Sequence, residues 1–135
     1  MHLWLAADVP DADIVARLDD VAPDGGTRSY NMHGQLRASH RARGKAPYDT
    51  FGLPWQSHAA ADAKPLAPGT PAEIEFEMLP MSYIFKAGHR LRLTLFFADP
   101  AAPAAPDTKA RVTVLRAADT PSFVTLPIIP AGLSK

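Results

Sequence analysis

The chain has 135 residues, 47% hydrophobic and 21% charged, proportions ordinary for one folded domain. Fourteen basic and fourteen acidic residues cancel, so no charge excess draws it to nucleic acid or to an anionic membrane surface. Cysteine is absent, which excludes disulfides, thiolate metal sites and a cysteine nucleophile, and no apolar run approaches the roughly 18 residues of a membrane span. Residues 1–7 show no basic stretch followed by a long apolar core, so no signal peptide is visible. Instead Leu3, Leu5 and Ala7 alternate as in a strand that stops at the aspartate- and proline-rich residues 8–11. Next, Ile14, Ala16 and Leu18 face one way and Val15, Arg17 and Asp19 the other. That run ends at 22–26, where Pro23, Asp24, Gly25 and Gly26 carry turn chemistry. Residues 27–41 read as extended, with Tyr30, Met32, Gly34, Leu36 and Ala38 on one side.

Residues 44–71 are the least regular part. Pro47, Pro54, Pro65 and Pro68 surround an aromatic cluster of Tyr48, Phe51 and Trp55, and a loop this long in a small domain is either functional or docked on something. The clearest pattern follows. Ile74, Phe76 and Met78 alternate with Glu73, Glu75 and Glu77, and Leu91, Leu93 and Leu95 alternate with Arg90, Arg92 and Thr94. Each is a strand with one apolar and one charged face, the mark of an antiparallel sheet. Between them 86–89 is a turn centred on Gly88. An alanine–proline tract at 99–106 reads as extended and polyproline-like. Two last strands follow, 111–115 and 122–129, the second marked as an edge or terminal strand by Pro127 and Pro130. About seven short strands and no convincing helix make a β-sandwich or jelly roll. The predicted core is Ile74, Phe76, Leu91, Leu93, Leu95, Val124 and Leu126, with Glu73, Glu75, Glu77, Arg90 and Arg92 facing water.

Chemistry is harder to find. No serine sits in a Gly-x-Ser-x-Gly elbow. The histidines at 2, 33, 40, 58 and 89 lack the i, i+4 spacing of a helical zinc site, and read as solvated or structurally satisfied. Asp8, Asp11 and Asp13 invite a calcium reading, but the glycine and distal glutamate of a calcium loop are missing, so a turn with solvated aspartates is preferred. The basic run of Arg37, His40, Arg41, Arg43 and Lys45 lacks interleaved aromatics and reads as a solvated strand end. No catalytic, metal-binding or cofactor-binding residue is assigned, and no cofactor is expected. Tyr48, Phe51 and Trp55 remain as a candidate docking surface, since aromatics anchor interfaces, against the alternative that they only cover the open end of the sandwich.

Taken in order, several blocks resemble a known family. They are the acidic turn 11–13, "ARLDDVAPDG" at 16–25, "GQLRASHR" at 34–41, "PGTPAEIEFEMLPMSYIFKAGHRLRL" at 68–93 and "SFVTLPIIP" at 122–130. Nearly the whole chain is similar to the C-terminal non-catalytic domain of the X-Pro dipeptidyl-peptidase family, which also holds cocaine-esterase-like and α-amino-acid ester hydrolases. The resemblance implies a galactose-binding-like jelly roll over 1–130, with 131–135 as a tail, packed behind an α/β-hydrolase domain that supplies the Ser-Asp-His triad. No triad position maps onto this chain, so it is expected to have no catalysis of its own. Its implied role is that of an accessory module that shapes one wall of the substrate cleft of a peptidase or esterase. A free-standing carbohydrate-binding jelly roll is the alternative.

Family members carry a further strand before the "HLWLAA" text at 2–7. Here Met1 precedes it directly, as in a truncated gene product, a misassigned start or a cut-down fragment. On that reading the strand at 3–7 lacks a partner, and self-association through the open edge or the aromatic cluster is expected. The absence of cysteine fits a cytoplasmic setting.

Overall fold

Period-two alternation survives intact in β1 (His2–Ala7), where Leu3, Leu5 and Ala7 are buried and the residues between them are half-exposed. The computed structural model describes residues 1–97 and 110–129, apart from the side chains of Tyr30 and Asn31. The facing of Tyr30, the tract at 99–106, Pro130 and the tail 131–135 therefore lie outside the described residues. β2 (Asp13–Val21) and β3 (Thr27–Arg37) form a hairpin around 22–26. There Gly26 N–H donates to Asp24 Oδ1 at 2.8 Å and Gly25 takes φ +88°, a value few side chains tolerate.

Single-turn 3-10 helices at Ala38–His40 and Ala60–Asp62 interrupt the following loop. Then come β4 (Ala72–Glu75), β5 (Arg90–Phe96) and β6 (Val112–Leu115). The strands make two antiparallel three-stranded sheets, in the orders β4-β1-β6 and β3-β2-β5. Their inner faces meet in one core: Leu3, Leu5, Ile74 and Phe76 from the first sheet pack with Ile14, Ala16 and Leu36 from the second. The molecule is an all-β sandwich.

β4 and β5 do not pair. They belong to opposite sheets, so residues 76–89 carry the chain across from one layer to the other. This crossover passes over Gly34 of β3, where an added Cβ would lie 2.2 Å from the Glu77 carbonyl oxygen. A hydrogen bond from Leu79 N–H to His33 O, 2.8 Å, fixes it there. Gly88 (φ +80°) makes the expected turn at its far end.

Four expectations are corrected. The run 122–129 is not a strand: it contributes a single bridge, His2 with Phe123, because the antiparallel register then carries the following residues past the end of β1. Among the described residues there are accordingly six strands. Leu91 and Leu126 are exposed, and Leu93, Leu95 and Val124 are half-buried, not core. Alternation sets the face a side chain takes but not how far the opposite layer covers it, and on β5 that cover is incomplete. Glu75 does not face open water but is half-buried beneath His2 and Arg43. Finally, β1 is no open edge. It is the central strand of its sheet, with β4 on one side and β6 on the other, and the self-association argument built on its lost partner falls.

Candidate functional site

The loop 44–71 is docked, not loose. Gly44 N–H donates to Trp55 O at 3.0 Å, Gln56 Nε2 to Glu75 O at 2.7 Å, and Leu66 N–H to Pro10 O at 2.7 Å, with the Leu66 side chain in the core. Gly44 is needed at its place, since a Cβ there would come within 2.7 Å of the Trp55 ring. Among the described residues two non-glycines adopt the left-handed region, Phe51 (φ +54°) and His58 (φ +53°), and both lie in this loop. Such conformations cost about 1–3 kcal/mol each and persist only where the surroundings hold them.

Of the three aromatics singled out from the sequence, Tyr48 and Trp55 line one groove of about 200 Å³. Its other walls are Gln35, Leu36, Pro54, Gln56, His58, Phe76 and Glu77. Phe51 does not line it. It stands 88% exposed at the loop tip, its N–H held by Asp49 Oδ1 at 2.8 Å. A largely exposed phenylalanine on a braced, strained backbone is what a partner surface can grip; the groove beside it offers aromatic rings next to amide and carboxylate groups.

Elsewhere the polar side chains are spent on the fold. Asp11 accepts from the backbone and hydroxyl of Ser39, Asp13 pairs with Arg37, and Asp8 accepts from Arg111 N–H, so the three acids read as solvated turn aspartates are each bonded within the fold. Among the described residues no group of three His, Asp or Glu side chains could hold a metal ion. The hydroxyls of Ser39, Ser57 and Ser122 donate to Asp11, Asp62 and Leu115 O, not to a histidine. His2 bonds Glu75 at 3.0 Å and stacks on Phe123, while His40 lies beside His58 with Nδ1 buried and without a hydrogen-bond partner. Glu75 is held below the ordinary carboxylate value by the His2 hydrogen bond, against the effect of burial and with help from Arg43.

Sequence reasoning missed two buried acids at the bulge of β2. Asp19 is fully buried between Arg17 and Arg92, although the alternation had set it on the face opposite Ile14, Ala16 and Leu18. Burial alone would push its carboxyl up, but hydrogen bonds from Arg92, Ser29 and Arg17 outweigh that and hold it low. Asp20, 3% exposed, accepts from Tyr83 Oη at 2.7 Å and bonds His89 Nδ1 at 2.8 Å. The Tyr83 hydrogen bond is the main cause of its lowered pKa, with burial opposing and His89 assisting. No spacing rule could have found this trio, in which Tyr83 and His89 lie 63 and 69 residues from Asp20.

Because both carboxyls titrate below their unfolded value of 3.8, the unfolded chain binds protons first on acidification. Their stabilisation is complete above that value and is lost as pH falls through the lowered folded values. Urea midpoints measured from pH 6 downward are therefore expected to hold until about pH 4 and then drop, and Asp20→Asn is expected to flatten the drop. A midpoint falling equally fast in Asp20→Asn and in the unaltered chain would contradict this.

A family model described as the X-Pro dipeptidyl-peptidase C-terminal non-catalytic domain matches residues 1–125. Two curated relatives, one from Mycobacterium bovis and one from Mycobacterium tuberculosis, are each named provisionally as a serine esterase. Each is 37% identical over 130 residues, covering 94% of this chain and 20% of the relative. The chain thus spans about a fifth of the length of the curated relatives it matches. No solved structure matches it.

Proposed function

The chain belongs to the family of X-Pro dipeptidyl-peptidase C-terminal non-catalytic domains, and from that premise we propose that it acts as the accessory β-sandwich of a serine hydrolase. Its partner on this reading is a catalytic α/β-hydrolase domain that brings the whole triad. The loop bearing Tyr48, Phe51 and Trp55 docks on that domain and forms one wall of the substrate cleft, over a single sandwich domain spanning 1–130. The observation that carries the reading is the combination of an 88% exposed Phe51 with a braced loop holding two left-handed residues. Ester or peptide hydrolysis then belongs to the assembled enzyme. A cytoplasmic setting agrees with the lack of cysteine, and among the described residues no helix is long and apolar enough to cross a membrane.

The chain by itself is accordingly expected not to hydrolyse p-nitrophenyl esters or X-Pro-aminoacyl dyes above the buffer rate. Labelling of one serine at full stoichiometry by a fluorophosphonate probe would sink the reading, since that requires an activated nucleophile in these 135 residues.

One observation favours a second reading, a free-standing carbohydrate-binding module. The Tyr48 and Trp55 rings share their groove with Gln35, Gln56 and Glu77, so aromatic platforms do stand beside groups able to bond hydroxyls. Calorimetric titration with hexoses and short oligosaccharides separates the two readings, because only a sugar site binds them without a protein partner.

A further inference from the structure

The crossover between the sheets exposes more apolar surface than a connection requires. Leu79, Met81, Ile84 and Phe85 are all exposed, Ile84 at 84%, and Leu91 joins them where β5 begins. Yet its tip is held firmly. Asp20 bonds both Tyr83 and His89, bracketing the residues between them, and the Tyr83 ring meets Phe85 edge-on at 4.8 Å. Gly88 packs on Pro23, with 3.5 Å from its would-be Cβ to Pro23 Cγ. A buried carboxylate is thus committed to holding two apolar side chains out in water.

The exposed charge on the tip itself and at the start of β5 has one sign. From 78 to 97 the sequence contains Lys86, Arg90 and Arg92 and no acidic residue. Asp19 and Asp20 on β2 are buried and already paired, and the exposed acids Asp24 and Glu77 belong to the β2–β3 turn and to the opposite end of the crossover.

We infer that the tip Tyr83–His89 is a second docking knob, which seats Ile84 and Phe85 in an apolar, acid-rimmed pocket of the catalytic portion of the same hydrolase. This rests on the accessory-domain reading above. The relatives point to the occupant, because four-fifths of their length lies outside the part this chain matches. The basic rim points to its charge. The buried Asp20 clamp supplies the rigidity, so little ordering is left to be done on docking.

The test is a hybrid in which this chain replaces the matching fifth of the Mycobacterium tuberculosis relative. Calorimetric melting and p-nitrophenyl butyrate hydrolysis are the readouts, with Ile84→Asp and Phe51→Asp made both in the hybrid and in the 135-residue chain alone. The expected result is that Ile84→Asp leaves the melt of the chain alone unchanged, splits the hybrid's single transition in two, and lowers hydrolysis about tenfold. If Ile84→Asp is silent in the hybrid while Phe51→Asp still splits the transition, the knob is overturned and the accessory-domain reading stands. If the two parts of the unaltered hybrid already melt independently, that reading itself falls. If Ile84→Asp leaves the hybrid unaffected but turns a dimer of the isolated chain into a monomer by sedimentation, the occupant is a second copy and the inference is wrong.

Discussion

Gly34→Ala is expected to destabilise the domain by about 3 kcal/mol or more, an unusually large effect for adding one methyl group. The new Cβ would point to the inner face of its sheet and meet the Glu77 carbonyl oxygen at 2.2 Å, with Glu77 C and Met78 Cα at 3.1 Å. All three are main-chain atoms, so no rotamer change relieves the clash. Either β3 leaves its register with β2, or the crossover lifts and gives up the Leu79 N–H to His33 O bond. Urea unfolding checks it. A midpoint within roughly 0.5 kcal/mol of the unaltered chain would mean that the crossover does not lie on β3.

Phe76→Ala is expected to cost about 3–5 kcal/mol. Phe76 is among the largest fully buried side chains, it sits where the inner faces meet, and it lines the same groove as Trp55. Its neighbour Glu75 is the useful comparison. The alternation alone makes Glu75→Ala nearly neutral, but the carboxylate is bonded to His2 and paired with Arg43. A loss of about 1 kcal/mol is expected instead, still well below that of Phe76. Equal losses at the two positions would show that the strand's faces had been misassigned. A groove deformed by Phe76→Ala at a temperature where the domain remains folded would appear as altered Trp55 fluorescence.

Much of the architecture was legible because alternation is a local signal. Leu3, Leu5 and Ala7, then Ile14, Ala16 and Leu18, then Ile74 and Phe76 all face the core as their spacing demands. The pattern failed on β5: Leu91 and Leu93 alternate as cleanly as Leu3 and Leu5, yet one is exposed and the other half-buried, because alternation sets the face of a side chain and not the cover that the opposite layer gives it. It failed again at the β2 bulge, where an irregular register lets Leu18, Asp19 and Asp20 all be buried in succession. For the candidate site, composition marked out Tyr48, Phe51 and Trp55 but not their division of labour, two in a groove and one at a tip. Gln35 and Glu77 come to that groove from other parts of the chain, and their convergence depends on tertiary packing alone.

The central place of β1 governs the order of assembly. β2 and β3 are joined by a short turn and can zip together as soon as both have been made. β1 precedes β2 to β6 in the chain, but its partners begin at Ala72 on one side and Val112 on the other, with a further bridge at Phe123. Each pairing closes a loop of many tens of residues before any hydrogen bond rewards it, the kind of contact that slows folding. Among the six described strands β1 therefore waits longest for its second partner, and its apolar face, Leu3, Leu5 and Ala7, stays incompletely covered for that interval.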